Sequence, residues 1–151
     1  MKKKIAVILG SKSDQEELKT GFDLLREFKI PYRFEIISAH RNPEKLTLVC
    51  KEMQKQGVSV VIACAGMAAA LPGFIASLVH IPVIGVAMKG GLLDGMDAVL
   101  SMVSIPRGLG VVCSGVGKNA FVNAIITAFE ILALSDKYYA GKLKRLKAKF
   151  K

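Results

Sequence analysis

The chain has 151 residues, 52% of them hydrophobic and 23% charged, a composition that excludes a disordered protein and suffices for a core without disulfides or a structural metal. Its three cysteines are too few and too scattered for a disulfide framework, so we expect reduced thiols. The net charge of +10 comes from the two ends of the chain, because ten of the 22 basic residues lie in Lys2–Lys4 or in 137–151. The body between them carries as many acidic as basic side chains, which argues against a nucleic-acid-binding face.

Strand and helix patterns alternate along the chain. Short apolar runs, typical of strands that are buried on both faces, occupy 4–9, 32–37, 58–64, 82–86 and 108–113. Helical patterns follow at 14–28, 43–56, 72–79, 94–103, 118–134 and 136–150. This order predicts one α/β domain over 1–151, a flavodoxin-like three-layer α/β/α sandwich with a five-stranded parallel sheet in the order 2-1-3-4-5, and a basic C-terminal helix at 136–151.

The uncharged stretch 58–88 raises the question of a membrane span. Pro72 and Pro82 interrupt it, whereas a spanning helix needs about 20 unbroken apolar residues, so we expect no membrane segment. The apolar run after the N-terminal lysines is also too short for a secretory signal peptide. We therefore expect a cytoplasmic protein.

The last two helices point to assembly. The helix at 118–134 is apolar nearly all round, which predicts a subunit interface. The helix at 136–150 carries an apolar stripe of Tyr139, Leu143, Leu146 and Phe150 with most lysines off it. We expect this stripe to dock on the protein's own assembly, although a helix on a membrane surface or on nucleic acid would look similar.

Ligands of such sheets bind at the carboxyl ends of the strands, beside the point where strand order reverses. The loop after the first strand contains Gly10, Ser11, Ser13 and Asp14 before a helix. Its N–H groups and hydroxyls favour an anion, although Ser13 or Asp14 could simply cap the helix.

The loop after the second strand contains Ser38, His40 and Arg41. Arginine can bind phosphate through two parallel hydrogen bonds, and histidine can give or take a proton near neutral pH. The alternative is a surface turn in which Asn42 caps the next helix.

The loop after the third strand, 65–73, carries no charge, and its polar groups are its peptide bonds. It can enclose a small ligand and exclude water, or it can serve only for close helix–sheet packing. His80 lies away from these loops and is interpreted as structural. Two separated histidines and no Cys-x-x-Cys pair predict no metal site, and the fingerprints of ATP and dinucleotide sites are absent.

Four motifs together resemble the PurE family, the N5-carboxyaminoimidazole ribonucleotide mutases of purine synthesis. They are Gly-Ser-x-Ser-Asp at 10–14, Ser-Ala-His-Arg-x-Pro at 38–43, Ala-Gly-x-Ala-Ala-x-Leu-Pro-Gly at 65–73 and Pro-Arg-Gly at 106–108. The resemblance runs in register over essentially the whole chain. It implies a flavodoxin-like fold, an octamer with sites between subunits, a ribonucleotide substrate, and no metal or organic cofactor.

The resemblance also implies roles for single residues. Ser11 and Arg41, with Ser13, would hold the substrate phosphate; Asp14 would bind the ribose hydroxyls, and Ser38 would line the site. His40 would be the general acid–base. The loop over 65–71 would close over the migrating carboxylate, and its expected contacts are Gly66, Met67, Ala68, Ala69 and Leu71.

The family has two classes, and the third loop separates them. Ala68-Ala69 and Leu71-Pro72-Gly73 follow the mutase pattern, as does Arg41, whereas Ala70 stands where the mutases usually carry a second histidine. Two alternatives therefore remain. One is a PurE-type carboxylase that uses free CO₂ on aminoimidazole ribonucleotide or on another nucleotide. The other is a non-catalytic nucleotide-binding or nucleic-acid-associated protein, which the basic ends suggest but which has no need of His40.

Overall fold

Five parallel strands form a single sheet at the centre of the protein. A computed structural model describes residues 4–151, and Lys2 and Lys3 of the basic N-terminal end lie outside the described residues. The strands are β1 (Ile5–Leu9), β2 (Tyr32–Ile36), β3 (Val60–Ala65), β4 (Val83–Ala87) and β5 (Val111–Val116). Their order β2-β1-β3-β4-β5 confirms the predicted flavodoxin-like topology, and strand order reverses between β1 and β3.

Helices cover both faces of this sheet. They are α1 (Asp14–Glu17), α2 (Lys19–Glu27), α3 (Pro43–Lys55), α4 (Ala70–Leu78), α5 (Met96–Val103), α6 (Gly117–Ala133) and α7 (Lys137–Ala148). One core joins the first face of the sheet to α2, α6 and α7, and a second core joins the other face to α3, α4 and α5. All five residues of β1 and all six of β3 are buried, which explains their continuously apolar sequences.

The helix predicted over 14–28 is divided in two at Leu18, where φ is −89° and ψ is 3°. Leu18 is fully buried. After the break, Gly21 brings α2 so close to α6 that a Cβ at this position would lie 2.3 Å from the Phe121 ring. The break thus separates the short turn that follows β1 from the helix that packs on α6.

A left-handed backbone makes α5 and β5 begin later than the sequence pattern predicts. Asp94 and Gly95 have φ of 47° and 96°, so α5 begins at Met96 rather than at 94. Gly108 has φ of 100° and lies in a turn in which Leu109 N–H donates to Pro106 O at 3.2 Å, so β5 begins at Val111 rather than at 108. In both places a left-handed backbone delays the regular element.

The apolar surface of α6 is covered within the chain. It packs on β3, β4 and β5, on α2, and most extensively on α7. The burial that was expected to need a subunit interface is therefore provided by the chain's own sheet and helices. Within residues 4–151, no helix combines the length and the apolar character needed to cross a membrane.

Candidate functional site

A cleft of about 310 Å³ lies at the carboxyl ends of the strands and is lined by the segments that follow β1, β2, β3 and β4. Most of the site residues expected from the sequence lie in its wall: Ser11, Ser13, Asp14, Ser38, His40, Gly66, Met67, Ala69 and Leu71. Arg41 and Ala68 are exposed beside the cleft and do not line it. The topology thus brings three separate loops to one place beside the switch point.

The segment after β1 presents two hydroxyl groups. Gly10 N–H donates to Cys64 O at 2.9 Å and fixes the loop to β3. The Ser11 and Ser13 hydroxyls are exposed and lie 2.8 Å apart, and Ser13 makes no side-chain cap on α1. Because α1 has only four residues, it supplies no long-helix dipole, and the two hydroxyls are donors that this segment offers to an anion.

Asp14 begins α1 in a half-buried position. Burial raises the pKa of its carboxyl group above the ordinary value, and the charge of Glu17 acts in the same direction. Hydrogen bonds from the Ser13 side chain and the Ser11 backbone oppose this rise in pKa. A ligand that donates hydroxyl groups to Asp14 would stabilise its ionised form.

The segment after β2 holds His40 at a turn. Asn42 N–H donates to Ser38 O at 2.9 Å, and Arg41 N–H donates to the Ser38 hydroxyl at 3.3 Å. Asn42 also caps α3, since its side chain accepts a hydrogen bond from Lys45 N–H at 3.3 Å. The motif therefore forms a surface turn with a helix cap and also presents an exposed His40 in the cleft wall. The structural interpretation of the motif does not exclude the functional one.

The segment after β3 is uncharged and conformationally strained. Met67 and Ala69 have φ of 53° and 30°, in the left-handed region that residues other than glycine rarely adopt. Ala69 N–H donates to Gly66 O at 3.0 Å and closes a tight turn. Ala69 and Leu71 are buried, whereas Met67 is 66% exposed. Strain of this kind tends to concentrate at ligand-binding sites.

Sequence reasoning missed the contribution of β4 to the cleft, where Lys89 and Gly91 join the wall. Within 4–151, Lys89 is the single lysine or arginine in that wall. The signal was available, because Lys89 lies shortly after the strand predicted at 82–86. Ala39 and Ala70 also line the cleft.

His80 lies outside the cleft and is exposed, and its N–H donates to Gln54 Oε1 at 3.1 Å. Across residues 4–151, no three His, Cys, Asp or Glu side chains come together in a way that could hold a metal ion.

Known proteins resemble this chain over nearly its whole length. The chain is 42% identical to an N5-carboxyaminoimidazole ribonucleotide mutase of Saccharolobus solfataricus, in an alignment that covers 94% of this chain and 89% of that protein. It is 40% identical to the mutase of the same name from Pseudomonas aeruginosa, covering 95% of this chain and 88% of that one. The crystal structure of Treponema denticola PurE superposes with a TM-score of 0.84 at 26% identity, over 96% of this chain and 89% of that chain.

The sequence model of the AIR carboxylase family matches residues 4–151, which include every segment of the cleft. With relatives at this identity over nearly the whole length, the chain belongs to the AIR carboxylase (PurE) family.

Proposed function

We propose that the protein converts N5-carboxyaminoimidazole ribonucleotide to 4-carboxy-5-aminoimidazole ribonucleotide, as the names of its relatives indicate for them. The observation that carries the proposal is the meeting, in one cleft, of the Ser11 and Asp14 segment, of His40 and of the uncharged loop after β3. These are the parts that a phosphorylated ribose, a proton transfer and a neutral CO₂ intermediate require.

The reaction moves a carboxylate from nitrogen to carbon. Breaking the bond from N5 to the carboxylate carbon leaves the electron pair on N5, which takes a proton, and releases CO₂. Carbon C4 of the imidazole then attacks CO₂ with a ring electron pair, and the proton on C4 leaves. One proton is taken up and one is lost, so a single acid–base group can serve both steps.

His40 is the group we assign to these proton transfers. It lies in the cleft wall, and imidazole exchanges protons near neutral pH. Ser11, Ser13 and, from beside the cleft, Arg41 would hold the phosphate, which needs the exposed Arg41 side chain to turn inward on binding.

The loop after β3 would retain the CO₂. Gly66, Met67, Ala69 and Leu71 add no charged group to the wall, and Ala68 lies beside them. An uncharged enclosure disfavours water and holds CO₂ next to C4, so that recapture competes with escape.

We further propose a cytoplasmic homo-oligomer, an octamer if the family resemblance extends to assembly. A set of large apolar side chains on and around α5 supports association, since all of them are exposed in the single chain: Leu92, Leu93, Met96, Leu100, Val103 and Val112. Exposed apolar surface of this kind commonly marks a protein–protein interface.

The decisive experiment offers purified protein the carbamate and, separately, aminoimidazole ribonucleotide with bicarbonate. Product formed from the carbamate at much the lower concentration would establish the mutase. Product formed with equal efficiency from aminoimidazole ribonucleotide and bicarbonate would establish the direct carboxylase instead. Turnover in neither assay, with nucleotide bound, would contradict both.

The His40→Asn variant tests the assignment of the acid–base group. Asparagine keeps a polar side chain of similar reach but cannot transfer the proton, so turnover should fall roughly 10²–10⁴-fold. Binding of aminoimidazole ribonucleotide, measured by calorimetry, should change little. A variant with near-normal turnover would remove His40 from the mechanism.

A further inference from the structure

Lys89 is a cation in the cleft to which neither the motifs nor the proposed mechanism gives a role. It follows β4 after Met88 and lies beside the start of the uncharged loop, since a Cβ at Gly66 would lie 3.5 Å from Met88 O and 3.8 Å from Lys89 O. Lys89 is one of the residues that line the cleft, at the end where this loop closes.

The surroundings of Lys89 leave its ammonium group available. Glu17 is an acidic neighbour, because a Cβ at Gly117 would lie 3.7 Å from Lys89 Cε and 2.6 Å from Glu17 Oε1. No ion pair within 4.0 Å nevertheless engages Lys89 in the part of the chain that the structure describes.

Two cations lie on opposite sides of the site, Lys89 in the cleft wall and Arg41 beside the cleft. Arg41 follows β2 and Lys89 follows β4, and β1 and β3 lie between them in the sheet. Three strand spacings of about 4.8 Å separate the two strand ends by roughly 14 Å. A ligand with one anionic group at each end, such as a phosphate and a carboxylate joined through a ribose and a small ring, matches this arrangement.

We propose that Lys89 binds the carboxylate of the substrate and of the product, at the end of the cleft opposite the phosphate. This inference rests on the proposed function and names the residue that recognises the group that migrates. An ammonium group stabilises a carboxylate but not neutral CO₂. Lys89 should therefore favour the two carboxylated states over the CO₂ intermediate and reduce the fraction of turnovers that lose CO₂.

Two ligands that differ only by the carboxylate test this role. Lys89→Gln should weaken the binding of 4-carboxy-5-aminoimidazole ribonucleotide by roughly 10-fold or more, the usual loss for a charge-assisted hydrogen bond, and leave that of aminoimidazole ribonucleotide unchanged. Lys89→Arg should restore most of the affinity. With the carbamate as substrate, Lys89→Gln should also release more aminoimidazole ribonucleotide per turnover.

Lys12→Gln is the matched control, because Lys12 belongs to the segment after β1 but is exposed and does not line the cleft. This variant removes one positive charge, as Lys89→Gln does, but it should not change the affinity for one of the two nucleotides more than for the other. Arg41→Gln should weaken both ligands alike, since both carry the phosphate.

If Lys89→Gln loses affinity equally for both ligands, the inference is overturned, and Lys89 then acts on the phosphate or through the overall electrostatic potential of the cleft. A lower melting temperature of Lys89→Gln without ligand discrimination would also overturn it and assign Lys89 to Glu17. These outcomes are separate from a failure of the proposed function. If the wild-type protein does not convert the carbamate but Lys89→Gln still discriminates between the two nucleotides, carboxylate recognition stands and the mutase assignment falls.

Discussion

Asp14 shows how one residue can serve the site at a cost to the fold. Its carboxyl group is half-buried, and burial together with the charge of Glu17 raises its pKa. The ionised form is therefore less favourable in the folded protein than in the unfolded chain. Near neutral pH, where Asp14 is ionised in both states, this difference subtracts from the stability of the protein.

The Asp14→Asn variant should consequently be more stable than the wild type at pH 7. Stability due to a raised carboxyl pKa is present below the unfolded pKa and is lost as pH rises through the folded pKa. The gain in melting temperature should therefore disappear at acidic pH, where both states hold the proton. If Asp14 binds the ribose hydroxyls, the same variant should show a raised KM.

Thermal melts of both proteins from about pH 3 to pH 8 would measure this difference. A variant that is less stable than the wild type at pH 7 would show that the hydrogen bonds of Ser13 and Ser11 outweigh burial. Glu17→Gln provides a control, because it removes the neighbouring charge and leaves the Asp14 carboxylate in place.

At the scale of residues, the sequence predicts which segments line the cleft better than it predicts single contacts. Small residues, hydroxyls and His40 at strand ends predict the cleft, because parallel strands deliver their carboxyl ends to one edge. The exposed position of Arg41 could not be predicted, since a long side chain chooses its direction only in the folded surroundings. The contribution of Lys89 was not predicted, because the point where strand order reverses directs attention to the loops after the first three strands.

At the scale of elements, the loop after β3 lines the cleft with a backbone that is strained at Met67. Met67 lies in the left-handed region with φ of 53°, although its side chain is largely exposed and gains little from burial. Its Cγ would lie 3.3 Å from a Cβ at Gly91, so its side chain packs against the segment after β4. The left-handed conformation costs a residue other than glycine about 1–2 kcal/mol.

Glycine relieves this strain of about 1–2 kcal/mol but costs about 0.5–1 kcal/mol in chain entropy, so Met67→Gly should raise the free energy of unfolding by up to about 1 kcal/mol. Ala68→Gly is the matched control: Ala68 is the exposed neighbour without a positive φ, so glycine there should destabilise through chain entropy alone. Urea denaturation of both variants measures the contrast. Equal destabilisation by both substitutions would show that Met67 is not strained in solution.

The boundaries of elements depend on such backbone angles, and this limits what a periodic pattern can predict. The strands β1 to β4 agree with the pattern to within about two residues because their apolar runs are bounded by glycine, proline or charge. The late starts of β5 and α5 follow from the left-handed Gly108, Asp94 and Gly95. Apolar periodicity contains no information on those angles.

At the scale of the whole molecule, α7 fastens the C-terminus to the body of the chain. Tyr139 and Leu146 are buried against the core that contains α6. Lys142 Nζ donates to Phe28 O at 2.5 Å, and Tyr138 OH donates to Lys29 O at 3.3 Å, so α7 also supplies partners for the carbonyls at the end of α2.

Part of the basic charge of this helix is used in the same contacts. Lys147 pairs with Glu130 on α6, and Lys149 pairs with Glu27 on α2. These exposed pairs contribute little individually. They nevertheless show why a lysine-rich helix can lie on its own chain without an acidic partner from outside.

Deletion of residues 137–151 should therefore destabilise the protein in the absence of lipid or nucleic acid. Losing two fully buried large side chains costs about 3–6 kcal/mol, which for a chain of this size corresponds to roughly 10 °C or more in melting temperature. Leu146→Ala should reproduce part of this loss without changing the charge. Lys144→Gln, at an exposed position on the same helix, should not.

The same set of variants separates packing within the chain from the other roles of a basic amphipathic helix. If the truncated protein keeps its melting temperature but loses affinity for anionic vesicles or DNA, α7 is a partner-binding tail. The burial of its side chains then does not contribute to the stability of the protein. If it keeps its melting temperature and loses only oligomer mass, α7 acts between subunits. A lower melting temperature in both the truncated protein and Leu146→Ala, with Lys144→Gln unaffected, is the outcome that the buried Tyr139 and Leu146 require, because apolar burial acts whatever the charge of the surrounding lysines.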